Sequence, residues 1–209
     1  MNDFTKKEIK FFKKLNTPAK VQDFLDTFRF NFEEGGQTIK SPLVSFRTKS
    51  IHCLEGAMLG AYILSFQGFK PLILHLEADK KSGDWDHIIT LFQVDGLWGA
   101  LSKTNHYTLR YREPVYKSVR ELVMSYFHEY FLNSNGKKTL RRYSVPLNLD
   151  SLKINWVTSE EDLWVVDDKL DEIKHLDVIS KKAIKSLRKA DKIERQAGEI
   201  VEYKSSKKV

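Results

Sequence analysis

Ile51-His52-Cys53-Leu54-Glu55-Gly56-Ala57-Met58-Leu59-Gly60-Ala61-Tyr62-Ile63-Leu64 contains the only cysteine of the chain, and the reading of the fold starts there. Small and apolar side chains dominate, with no proline and no β-branched cluster. The run therefore reads as a buried helix with Cys53 in its first turn. Gly68-Phe69-Lys70-Pro71 is a stop signal, and the apolar run Leu72-Ile73-Leu74-His75-Leu76 reads as a strand. A polar connection from Asp79 to Asp84 leads into Asp86-His87-Ile88-Ile89-Thr90-Leu91-Phe92-Gln93-Val94. Asp95-Gly96 is a hairpin turn, and Leu97-Trp98-Gly99-Ala100-Leu101-Ser102 returns antiparallel. The order is helix, strand, hairpin, with a cysteine opening the helix and a histidine opening the hairpin.

That order suits nucleophilic chemistry. A thiol at a helix N-terminus meets free backbone N–H groups and the positive end of the helix dipole, both of which favour the thiolate. A histidine on the facing sheet accepts the thiol proton or pairs with the thiolate, and amides near the cysteine are placed to receive an oxyanion. Cys53 as nucleophile and His87 as base depend on each other. The competing reading of Cys53 is a small buried helix residue. Asp86 reads as a residue at the start of a strand, and His52 as an exposed neighbour of the cysteine, with perturbation of the thiol as the sharper option. A metal site built from His52, Cys53, His75 and His87 would need unusual geometry, and none is expected.

The ordered set of Cys53 opening an Ala/Leu/Gly helix, Gly68 before the first strand, His87 opening the second and Trp98 on the third resembles the core of the transglutaminase-like superfamily, which has a papain-like cysteine fold. The resemblance covers roughly residues 18 to 132. It implies an α+β fold in which the Cys53 helix packs on an antiparallel sheet. It also implies acyl transfer through a thioester at Cys53 on a peptide or protein amide, or an ester, without a cofactor. In the family the third strand commonly runs Trp-x-x-x-Asp, the aspartate orienting the histidine. Here that position is Ser102, so the third group is Ser102, Asn105 or nothing. The same departure leaves a catalytically silent binding or scaffold module as the alternative.

The remaining chain fills in around this core. With 209 residues, 41% hydrophobic, there is enough for one domain and an appendage, placed at 1–168 and 169–209. Residues 3 to 15 read as a short amphipathic helix packed on the domain. Thr17-Pro18 opens a second helix, and Ser118 caps a third that runs to Phe131. Gln37 and Arg47, ahead of the cysteine helix, read as solvated residues, with substrate contacts as the sharper option. Residues 140–149, 154–157 and 163–166 read as short strands. Beyond Asp168, apolar residues recur near helical spacing among lysines, and about five of the seven net positive charges fall there. A basic C-terminal helix is therefore expected. It permits nucleic-acid or anionic-membrane contact, although it carries no recognised motif for either. One cysteine, no signal-peptide pattern and no long apolar run point to a cytoplasmic protein.

Overall fold

The structure is a computed structural model that describes residues 3–204. In chain order the elements are α1 (Lys6–Phe12), α2 (Pro18–Asp26), β1 (Arg29–Phe30), α3 (Pro42–Thr48), β2 (Ser50–Ile51), α4 (Cys53–Ser65), β3 (Leu72–Ala78), β4 (His87–Val94), β5 (Leu97–Ser102), β6 (Arg112–Tyr116), α5 (Val119–Tyr126), β7 (Leu140–Ser144), β8 (Leu147–Asn148), a 3-10 turn (Leu149–Leu152), α6 (Trp164–Glu172), β9 (His175–Asp177), α7 (Lys181–Lys185) and α8 (Lys192–Gly198). This is the α+β arrangement expected, with an antiparallel sheet in the order β6-β5-β4-β3-β7-β9 and β8 beside the first half of β3.

Alternation along the strands explains why both faces of the sheet are covered. Leu74, Leu76, Ile89 and Leu91 pack on one side with Leu122, Val123 and Tyr126 of α5. Ile73 and Ile88 pack on the other with Leu54, Ala57, Met58 and Ala61 of α4. Full burial of a side chain such as Leu122 stabilises the fold by roughly 1.5–3 kcal/mol. Asp95 and Gly96 both take positive φ, 50° and 79°, as the tight β4–β5 turn requires. Two glycines bring α4 close to the sheet. A Cβ on Gly56 would lie 2.6 Å from the Lys103 Cβ, and one on Gly60 would lie 2.9 Å from Leu101 Cδ1.

The N-terminal helix packs on the domain as expected: Thr5 and Glu8 form a capping box, and the fully buried Phe12 meets Phe46 and Tyr62 edge-on. Further along, the structure departs from the expectation. Residues 163–166 are not a strand; Leu163 caps α6, and Val166 and Leu170, one turn apart, are buried against the α4 cluster. Residues 154–157 form no strand either, and α5 ends at Tyr126 rather than Phe131. The segment from 169 onward is not one helix. It finishes α6, adds β9 to the sheet beside β7 and then makes two short helices. Val178, 1% exposed, is anchored in the core with Leu140 and Tyr143, which a continuous surface helix could not do. The C-terminal segment thus belongs to the same sheet as the core, and among the described residues no helix is long and apolar enough to cross a membrane.

Candidate active site

Cys53 is the first residue of α4 and half-buried. Its N-cap is His52. The imidazole Nδ1 of His52 accepts from the Leu54 N–H at 3.2 Å, and Glu55 reaches back to the His52 N–H at 3.0 Å, closing a capping box. Glu55 is fully buried and collects further donors from Asn31 Nδ2 (3.2 Å), Thr38 Oγ1 (2.9 Å) and the Lys40 N–H (3.1 Å). One carboxylate thereby ties the loop of residues 31–40 to the first turn of α4.

His87 opens β4 and is buried. Its Nε2 lies 2.8 Å from Ser102 Oγ, which β4–β5 pairing brings within reach by setting Ile89 opposite Ser102. The Ser102 hydroxyl donates to the Leu109 carbonyl, an obligate acceptor, so Ser102 Oγ accepts from His87 and fixes the proton on Nε2. Nδ1 is then the ring nitrogen left for Cys53. Gln22 on α2 holds the Ser102 backbone in turn, its amide donating to the Ser102 carbonyl and accepting from the N–H, both at 2.9 Å.

The imidazoles of His52 and His87 are the two groups that act on the Cys53 thiol. Burial pushes the Cys53 thiol up, but the two imidazoles outweigh it and lower it to about 5. His52 moves the other way. Burial opposes its charge, yet the hydrogen bond and attraction to Cys53, the Glu55 carboxylate and the Thr38 carbonyl raise it to about 9. Tyr130 donates to the carbonyls of Trp85 (2.6 Å) and Leu76 (3.3 Å). Burial first, then the charges of Asp84, Asp86 and Cys53, push it well above the usual phenol range, so it stays a neutral donor. Tyr130 and Leu109, with Asp84, His106, Thr108 and Gly198, line a cavity of about 90 Å³ to which Cys53, His87 and Ser102 do not contribute.

Of the residues singled out from sequence, the structure brings Cys53, His87 and Ser102 together. Asn105 stands elsewhere: its side-chain amide accepts from the Tyr203 N–H and donates to the Tyr203 carbonyl, both at 3.0 Å, pinning the C-terminal segment. Arg47 pairs with Glu8, and Gln37 is exposed. Asp86 bonds the Ala78 N–H (2.7 Å) and His75 Nε2 (3.0 Å), which ties the start of β4 to β3. His52 is not the exposed neighbour expected; its side chain is 14% exposed. Glu55 is the site residue to which the sequence reading gives no role, and His52 the one that it places in solvent. Their spacing of three is the capping-box signal, hidden because histidine is not a usual N-cap. His75 and His175 also face each other, Nδ1 to Nε2 at 3.2 Å. Among the described residues no group of three or more His, Cys, Asp or Glu side chains is arranged to hold a metal ion. No family model matches the chain, and no curated protein matches it.

Proposed function

We propose that the chain is a transglutaminase-like, papain-like thiol hydrolase or acyltransferase that cleaves an amide or ester through a thioester on Cys53. One observation carries this reading: Cys53 opens a helix within the electrostatic reach of His87, whose ring is held by Ser102, itself hydrogen-bonded to the Leu109 carbonyl. The Cys53 thiolate adds to the carbonyl carbon, and the oxyanion that forms is stabilised by the positive end of the α4 dipole. His87 Nδ1–H then gives its proton to the leaving amine or alkoxide as the C–N or C–O bond breaks. In the second half His87 takes a proton from water, whose oxygen displaces the Cys53 sulfur and releases the acid. Hydrolysis is favoured over transamidation because water needs no acceptor site.

One observation favours the rival reading of a silent binding module. Ser102 is neutral, so a protonated His87 gains hydrogen-bond orientation from it but no countercharge. Binding to nucleic acid or membrane through the basic C-terminal segment has less support, since that segment is divided between β9 and two short helices.

The test is acylation of Cys53 by an activated ester, p-nitrophenyl acetate, read by intact-protein mass and peptide mapping. The expected result is a single acetyl group on Cys53, absent in Cys53→Ala. Its formation should slow by about 10²–10⁴-fold in His87→Ala, the span for loss of a general base. A folded wild-type protein that takes up no acyl group at Cys53 would sink the enzyme reading and leave the module.

A further inference from the structure

We propose that Glu129 is a positioning residue for His87. By holding the Leu109 N–H it keeps the Leu109 carbonyl on the Ser102 hydroxyl, and so decides which nitrogen of His87 carries the proton. The inference rests on the acyl-transfer reading for its catalytic consequence, while the placing of the ring proton does not.

A backbone outlier points to it. Leu109 has a φ of 59°, in the left-handed region that leucine rarely adopts and that persists only where the surroundings hold it. Both backbone polar groups of this residue are committed. The N–H donates to Glu129 Oε2 at 2.9 Å, and the carbonyl accepts the Ser102 hydroxyl. The Leu109 side chain packs against the core cluster that includes Leu122, Val123 and Tyr126 of α5, so side chain and peptide are fixed from different directions.

Glu129, just past α5, is itself anchored. Its Oε2 also accepts from Arg112 Nη2 at 2.7 Å. Arg112 bridges β6 to α5: Nε donates to Ser125 Oγ at 3.0 Å, Nη2 to the Ser125 carbonyl at 3.3 Å, and the guanidinium lies 4.2 Å from the Tyr126 ring centroid. The carboxylate is thereby held between two elements and turned toward one peptide N–H.

The consequence follows from the single proton of the Ser102 hydroxyl. With the Leu109 carbonyl in place, the hydroxyl donates to it and can only accept from His87, so the ring proton sits on Nε2 and Nδ1 keeps its lone pair. Without Glu129 the Leu109 peptide is free to leave the left-handed region, and its carbonyl no longer faces Ser102. Gln22 still holds the Ser102 backbone, so the hydroxyl rotor is what changes. The hydroxyl then donates to Nε2, and the one proton of the neutral ring moves through solvent to Nδ1 with no change of charge. A neutral ring in that tautomer has no lone pair at Nδ1 to take a proton from the thiol.

The experiment is proton–nitrogen correlation NMR of the histidine rings in the full chain. It is run in a Cys53→Ala background at about pH 8.5, where an ordinary imidazole is neutral. This parent should show His87 protonated at Nε2. In Glu129→Ala the Nδ1–H form should rise to a population comparable with Nε2–H, while His75 and His175, on β3 and β9, stay as in the parent. Glu129→Gln, whose amide oxygen can accept from both Leu109 and Arg112, should keep the parent ring. Glu129→Ser, too short to reach Leu109, serves if the alanine variant does not fold. With Cys53 present, Glu129→Ala should slow acetylation by about tenfold or more, and slow it no further once Ser102 is alanine. A folded Glu129→Ala that keeps the parent's Nε2–H ring, or a Glu129→Gln that populates Nδ1–H as well, overturns the proposal. Failure of the acyl-transfer reading looks different: the His87 ring still responds to Glu129 while p-nitrophenyl acetate leaves Cys53 of the wild type unmodified.

Discussion

The hydroxyl of Ser102 stands between an imidazole N–H and the Leu109 carbonyl, accepting from one and donating to the other. A carboxylate cannot do both, which gives a physical reason for serine here. Ser102→Ala should leave His87 free to change tautomer, slow Cys53 acylation by about tenfold or more, and lower stability by about 1–3 kcal/mol, because the buried His87 N–H and the Leu109 carbonyl lose their partner. Ser102→Asp should also destabilise the protein by about 1–3 kcal/mol, because a buried carboxylate would face the Leu109 carbonyl. Urea denaturation of both variants checks the pair, and an aspartate variant as stable as the wild type would show that the Leu109 contact does not limit this position. His87 and Ser102 are legible as neighbours because the turn at Asp95-Gly96 folds β4 onto β5, whereas the nearness of Cys53 to His87 cannot be read from spacing alone. Asn105 was assigned by nearness to Ser102, but its partner, Tyr203, is 98 residues away, and no spacing rule reaches that far.

The helix α4 is held at its first turn by polar contacts and along its length by close packing. Glu55→Gln replaces one acceptor oxygen by a donor in a pocket already crowded with the donors of Asn31, Thr38, Lys40 and His52. It should cost about 2 kcal/mol or more in urea denaturation, since at least one buried donor loses its partner. An effect no larger than that of an ordinary surface substitution would mean the loop is held by something else. Gly56→Ala tests the packing: its Cβ meets the Lys103 Cβ at 2.6 Å, so the chain just past Ser102 must shift, for a loss of about 1–3 kcal/mol. The helix itself was readable, because thirteen residues of small and apolar type leave little choice of element. Its neighbour α6 was not. Trp164-Val165-Val166 carries the bulky, β-branched signature of a strand, and only burial of Val166 and Leu170 on successive turns selects the helix.

Across the whole molecule, the sheet binds the C-terminal segment to the core, and it does so partly through titrating groups. Lysine-rich sequence with apolar residues at three- and four-residue spacing suggests one helix, so neither β9 nor its pairing with β7 was legible; both arise from contacts distant in sequence. At this junction His75 Nε2 meets Asp86 at 3.0 Å, His75 Nδ1 meets His175 Nε2 at 3.2 Å, and His175 Nδ1 meets the Ile173 carbonyl at 2.8 Å. Both outer partners accept, so the two rings together hold three N–H protons and one positive charge. The neighbouring groups are Glu77, Asp171 and Arg142. Burial opposes the charge on His75, but Asp86 foremost, with Asp171 and Glu77, holds its pKa above the ordinary value. Burial, aided by the charges of His75 and Arg142, holds His175 below it. A raised His75 contributes stability that is full below the unfolded value of about 6.5 and is lost as pH rises through its folded value. A depressed His175 contributes stability that is present above about 6.5 and is lost as pH falls through its folded value. The singly charged pair is therefore tightest between the two, and acid drives a second proton onto rings in direct contact. In His175→Gln the acid-side loss from this residue is gone, so the stability gap between wild type and variant should narrow from pH 7 to pH 5, by no more than about 1.4 kcal/mol per pH unit. Urea unfolding at several pH values measures that gap; a constant gap would mean that His175 titrates alike in the folded and unfolded chain and that the pair holds β9 by shape alone.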